Sequence, residues 1–228
     1  MRQNSPGTRD GDAANDDGKR PPGRPRSEHA RQAILRSTLK LLQENGFSNF
    51  TIEAVADRAA VGKATVYRWW PHKGALIADA FASSVTPNLH FPDTGSIDQD
   101  MSQQMRQLAK VFRGPQGRIV SAILGAGQSD PELIEAFRER FLMPRRREAY
   151  ATLRRAILRG ELRRDIDPNL LLDSLYGPIY MRFLIRHDRL TPHFIDRLCA
   201  LVLAGARPHY RSRARARRVK ARLAKARF

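Results

Sequence analysis

The chain holds one cysteine, Cys199, in 228 residues. A lone thiol excludes an internal disulfide framework and a cysteine-based zinc cluster. Its position in an apolar helical stretch suits an inert core residue. The six histidines (His29, His72, His90, His187, His193, His209) are scattered, without an i, i+4 pair or a carboxylate at ligand spacing. No glycine-rich phosphate loop or nucleophile elbow occurs, so an enzyme is not expected, and neither is a cofactor. No apolar run approaches the roughly 20 residues of a transmembrane helix. The N-terminal stretch MRQNSPGTRDGDAAND lacks the apolar core of a signal peptide. A cytoplasmic protein with no membrane partner is the expectation. The alternating pattern of a β-strand is missing too, which leaves an all-α fold.

What is present is positive charge: 41 Lys+Arg against 23 Asp+Glu, a net of +18. Such an excess points to a polyanionic partner, most often nucleic acid. It is uneven. Residues 1–86 carry 13 basic and 9 acidic side chains, residues 87–204 carry 18 and 14, and residues 205–228 carry ten basic and none acidic. Arginines outnumber lysines 34 to 7, which suits bidentate contacts to phosphate and guanine. The 41% apolar fraction is enough for a real core.

Residues 1–26 are rich in Gly, Pro, Asp and Asn and read as a disordered arm, because they cannot bury enough surface to offset ordering entropy. A helical stripe begins after Ser27 with Ile34, Leu35, Leu39, Leu41 and Leu42, and Gly46 stops it. Thr51 is a good N-cap for TIEAVADRA, and AAVG separates that segment from KATVYRWW, which Pro71 ends. A further helix runs from Lys73 to about Val85 with Leu76, Ala80 and Phe81 on one side. Ser96 and Gln99 form a capping-box pattern for a helix to about Phe112, and Pro115 opens the next. Asp130-Pro131, Asp167-Pro168 and Thr191-Pro192 each pair a cap with proline at the first helical position. They lead helices of about 130–142, 167–186 and 191–206, with another near 145–160.

Two short helices joined by a four-residue break, anchored by Ile52, Val55, Ala56, Val61, Val66 and Tyr67, fit a helix-turn-helix. Here the sequence resembles the TetR/AcrR family of bacterial transcriptional repressors over residues 30–78. The resemblance rests on the leucine-rich helix ending in Glu-Asn-Gly-Phe, Thr51 opening the next, Val55-Ala56, Lys63 to Tyr67 as K-A-T-V-Y, and Trp70-Pro71-His72-Lys73 with Ala75-Leu76. Two positions depart from the family pattern. Ala60 replaces the usual turn glycine, where a left-handed backbone costs about 1 kcal/mol. Gly62 replaces the usual Ser or Thr cap, a loss of only a few tenths of a kcal/mol.

The resemblance implies a dimeric regulator with an N-terminal three-helix DNA-binding domain and a C-terminal helical ligand-binding and dimerisation domain. Domains of 27–86 and 87–206 follow, with the arm before and a basic tail at 207–228. Lys63, Ala64, Thr65 and Arg68 are expected to reach base edges; Thr51, Tyr67, His72 and Lys73 look like the family's phosphate contacts. Core packing is the rival reading for the aromatic residues and is favoured for Trp70; Tyr67 can pack its ring and still expose its hydroxyl. Gly23-Arg24-Pro25-Arg26 resembles the core of an AT-hook; either Arg24 and Arg26 enter the minor groove or the arm is a solvated linker. The tail is open between non-specific phosphate binding, a membrane-surface helix with a thin apolar face, and a solvated extension.

Residues 87–206 resemble the family's variable domain, clearest over 170–203. Its last two helices imply a dimer interface, with stripes Leu171, Leu175, Ile179, Phe183 and Phe194, Leu198, Leu201, Val202; core packing is the rival. An inducer pocket is expected among Phe81, Met105, Leu108, Phe112, Ile123, Phe137, Phe141, Tyr150 and Tyr176, each of which also suits ordinary core. The Arg145–Arg147 run with Arg154 and Arg155 is open between attracting an acidic ligand and a solvated helix face, and the solvated face is favoured. The function expected is a repressor that binds palindromic double-stranded DNA as a homodimer and is released by a small molecule. The rival is a constitutive, non-specific nucleic-acid-coating protein working through the tail.

Overall fold

The computed structural model describes residues 24–208, and all the regular secondary structure in that range is helical. The first helix, α1 (Arg24–Asn45), starts earlier than expected. Arg24 and Arg26 lie in its first turn, not in the extended segment that an AT-hook core requires. Pro25 permits this because the first-turn N–H groups have no intrahelical partner, so its missing donor costs nothing there. Residues 1–23 and the tail from 209 onward lie outside the described residues, as do the expectations attached to them. Helix α1 ends where Gly46 takes φ +72° and buries Ile34, Leu35, Leu41 and Leu42.

Helices α2 (Ile52–Arg58) and α3 (Lys63–Trp69) are short, and α4 (Lys73–Val85) is buried on nearly every side. Its run of Gly, Ala, Leu, Ile and Phe lets neighbours approach all round it. Helix α4 packs on α1 at one side and, at the other, on α6 (Pro115–Ala126) and α7 (Pro131–Phe137). A Cβ on Gly74 would stand 2.8 Å from the Leu133 Cα, so the α4–α7 seam is backbone against backbone.

Helix α5 (Ile97–Arg113) buries Met101, Met105, Leu108 and Phe112 at helical spacing. The capping box does not form. Ser96 sits at the N-cap position without a side-chain cap bond, and Glu161, 64 positions along the chain, accepts the Ile97 N–H at 2.8 Å. Between α5 and α6 a Cβ on Gly117 would lie 2.0 Å from the Phe112 carbonyl oxygen, so only glycine fits that turn.

The segments expected at 130–142 and 145–160 are one continuous rod. Helix α7 passes through a π turn (Arg138–Leu142) into α8 (Met143–Leu158). Pro144 offers no N–H to the Arg140 carbonyl, and the Met143 N–H bonds the Arg138 carbonyl, a five-residue step that keeps the chain helical past the proline. The last pair, α9 (Pro168–Ile185) and α10 (Pro192–Ala206), starts where the Asp-Pro and Thr-Pro pairs mark it. Asp130 accepts from Leu133, Asp167 from Asn169, and Thr191 from Phe194. Cys199 is buried beside Met105, its sulfur 3.3 Å from the Met105 Sδ, and burial pushes its thiol up to about 12. A single buried cluster runs from Ile34 to Ala206.

Candidate nucleic-acid interface and interior cavity

The α2–α3 unit is built by caps. Thr51 Oγ1 accepts the Ala54 N–H at 3.2 Å and fixes the start of α2. At its end the Val61 N–H reaches the Ala56 carbonyl and the Ala60 N–H the Asp57 carbonyl, with Ala60 left-handed at φ +53°. This is a Schellman closure with alanine where glycine is easiest. Gly62 then caps α3 without a side chain.

On α3 only Val66 is fully buried. Lys63, Ala64, Tyr67 and Arg68 are exposed at i, i+1, i+4, i+5, one outward face, with Thr65 half-buried beside it. Lys63 is tied to Glu53 of α2 by a short ion pair. That hydrogen bond holds the Glu53 carboxyl below its usual range and raises the Lys63 ammonium. Tyr67 is 47% exposed and Trp69 sits at the surface too, so core packing does not describe them. Trp70 does pack inside, as the sequence favours, and donates Nε1–H to Asp79 at 2.9 Å. Asp79 also accepts from Arg31 of α1, which locks α4 to α1.

His72 caps α4: its Nδ1 accepts the Ala75 N–H at 3.2 Å, so that nitrogen is committed to the fold. The Lys73 ammonium lies 4.9 Å from the Phe47 ring and 5.7 Å from the Phe50 ring, held at the edge of the helix-turn-helix unit.

Helices α5, α8 and α9, with Leu89, Phe91 and the π turn, line a partly open cavity of about 260 Å³. Of the nine expected pocket residues, Leu108, Phe141 and Tyr176 line it. The other six do not. Phe81 and Phe137 join Phe141 in an aromatic cluster with centroids 5.0–6.0 Å apart. Phe112 stacks on Phe183 at 4.3 Å, Met105 meets Cys199, and Ile123 is plain core. Tyr150 is taken up by Asn169 and Arg146. Helical periodicity marks a buried face; it does not mark where facing helices diverge and leave space.

The cavity has a polar end that the solvated-face reading missed. Arg145 and Arg146 both line it, with Gln104 and Tyr176. The Tyr176 hydroxyl bonds the Gln104 carbonyl oxygen, and burial pushes the Tyr176 phenol far up and Tyr180 up to about 12. A signal for Arg145 existed: with Ala149, Thr152, Leu153 and Ala156 it forms the buried stripe of α8. Arg147 and Arg154 are exposed, as a solvated face requires.

The expected dimer stripes divide. Leu171, Leu175 and Ile179 on α9 and Leu198 on α10 are buried within the chain. Phe183 packs on Phe112, the Arg182 guanidinium covers Phe194 at 3.6 Å, and Val202 is half-buried. Core packing therefore accounts for most of them. Of the expected residues only Leu201 faces outward; beside it the outward apolar face has Leu170, Met181, Leu184 and Ile185 on α9, and Ala200, Ala204 and Gly205 on α10.

Among the described residues no group of His, Cys, Asp and Glu could hold a metal ion, and no helix is long and apolar enough to cross a membrane.

Two family models match the chain. One, bacterial regulatory proteins of the tetR family, covers residues 34–80; the other, a tetracyclin repressor-like C-terminal domain, covers residues 91–202. The HTH-type transcriptional regulator YdeS of Bacillus subtilis is 42% identical over 173 residues, 76% of this chain and 87% of that one. The DNA-binding transcriptional repressor TetR of Mycobacteroides abscessus is 30% identical over 193 residues, 80% of this chain and 98% of that one. The crystal structure of the TetR family transcription regulator SCO0332 is similar at a TM-score of 0.69 and 37% identity, covering 79% of this chain and all of that one.

Proposed function

This chain belongs to the TetR family of helix-turn-helix transcriptional regulators, and from that premise we propose that it is a repressor, dimeric on a palindromic operator and released by a small molecule. The observation that carries the reading is the outward face of α3, which is short, convex and positively charged. A helix of this kind fits the major groove. Arg68 pairs with guanine O6 and N7, Ala64 or Thr65 meets a thymine methyl, and Lys63 exchanges Glu53 for a base or phosphate. Thr51, Tyr67 and Lys73 bind backbone phosphates, and His72 joins them through Nε2, the ring nitrogen that its helix cap does not use. The reading head is then α1–α3 with α4 as the link, and α5–α10 form the sensing and dimerising part.

Release runs through the rod. A ligand in the cavity touches Phe141 and Leu142 of the π turn and the first turns of α8. That turn continues into α7, and α7 meets α4 backbone to backbone at Gly74. Two reading heads about 34–36 Å apart fit one turn of DNA. A ligand that favours another position of α7 alters this spacing and lowers operator affinity, by as much as its affinity differs between the two states. The name of the Mycobacteroides relative supports the repressor reading.

The test is Arg68→Ala. It should weaken binding to the selected operator by about 1–3 kcal/mol and relax preference at one base position, with little change on random DNA. Equal losses on both would leave the basic tail as the DNA-binding part.

A further inference from the structure

The polar end of the cavity is built around a cation with spare donors. The Arg145 side chain is only 10% exposed and gives one hydrogen bond, from Nη1 to Glu148 at 3.0 Å. Its Nε and Nη2 are buried without a hydrogen-bond partner. A guanidinium carries five N–H donors in a fixed fork, and leaving them unmet in the interior is costly. Burial lowers its pKa accordingly. Phe91 lies against it at 5.0 Å. The neighbouring Arg146 differs: it is engaged by Asp173 at 2.7 Å, Asn169 at 3.0 Å and Tyr150 at 3.3 Å. Glu148, the one partner of Arg145, is nearly half exposed and is easily given up to water. The rest of the wall is apolar: Leu89, Leu108, Phe141 and Leu172.

We propose that the cavity takes a small amphipathic carboxylate, whose anionic head pairs with Arg145 and whose aliphatic or aromatic body fills the apolar part. A small turn of the guanidinium away from Glu148 brings its fork to the ligand, where two parallel N–H···O bonds satisfy the orphaned donors. At interior packing density about 260 Å³ holds on the order of ten to fifteen non-hydrogen atoms, which limits the body to a short acyl chain or one ring. The inference rests on the reading of this cavity as the regulatory site, and it adds the ligand's charge.

The test uses the full chain at 0.15 M salt with matched probes: 3-phenylpropanoate against 3-phenylpropanamide, and octanoate against octanamide. Calorimetry should show each acid binding roughly 10- to 100-fold more tightly than its amide, as expected for bonds to a charged donor. Arg145→Gln should abolish that preference and Arg145→Lys should keep part of it. If the substituted chains do not fold, the wild-type ratio of acid to amide decides. Amides binding as well as acids, a preference that survives Arg145→Gln, or no binding of either acid at millimolar concentration would each overturn the proposal. Operator release is measured separately. A neutral amide that binds as tightly as its acid and releases DNA contradicts the carboxylate and leaves the repressor reading standing. Acid binding that depends on Arg145 without release supports the carboxylate and contradicts the repressor reading.

Discussion

At Ala60 the backbone is left-handed at φ +53°, in a turn that glycine fills without strain. Ala60→Gly should therefore stabilise the chain by about 1 kcal/mol, raising Tm by roughly 2–4 °C for a domain of this size. Glu161 carries a second prediction. Burial pushes its carboxyl upward, but the Ile97 N–H and Arg159 outweigh it and the net shift is downward. Its contribution is then fully present above the ordinary glutamate value of 4.5 and is lost as pH falls through the lower folded value. Glu161→Gln should cost about 1–2 kcal/mol at pH 7, and denaturant titrations should show the gap closing as pH falls below the ordinary glutamate value. Most residue-scale chemistry of the reading head was legible because it is local: Thr51, Gly62 and Ala60 act on backbone within three or four residues. Glu161 was not, since its partner lies 64 positions away.

Helices α4 and α7 are joined at a seam with no room for a side chain. Gly74→Ala puts a methyl 2.8 Å from the Leu133 Cα, backbone that cannot turn aside. Overpacking of this kind costs about 1–3 kcal/mol. Since α4 carries His72 and Lys73, operator affinity should fall along with thermal stability, while the separation of the two effects reads how rigidly α7 drives α4. Normal operator affinity and normal ligand response in a folded Gly74→Ala chain would show that the seam transmits nothing. Caps made the starts of α2, α7, α9 and α10 legible. The join of α7 to α8 was hidden, because Pro144 normally marks a helix start and here is carried inside a rod by a π turn.

For the whole molecule, the unpartnered apolar face of α9 and α10 is where a second copy would seat. Leu201 is 76% exposed and its loss removes no internal contact of note. Leu201→Glu should leave the fold intact, shift sedimentation from dimer to monomer and abolish tight binding to a two-half-site duplex. Leu175→Ala, fully buried, should instead cost about 2–5 kcal/mol of stability. Spacing alone could not separate these faces, because α9 is apolar nearly all round and its four-residue stripe fits either side. The charge shows the same limit: +18 pointed to nucleic acid, yet residues 1–86, which include the reading head, have a net charge of only +4. Sequence-specific recognition by a paired α3 is the central claim, and footprinting of genomic fragments at 0.15 M salt tests it most directly. The account predicts a few protected sites, each palindromic with half-site centres about one helical turn apart. Uniform protection of every fragment at one protein concentration would contradict it.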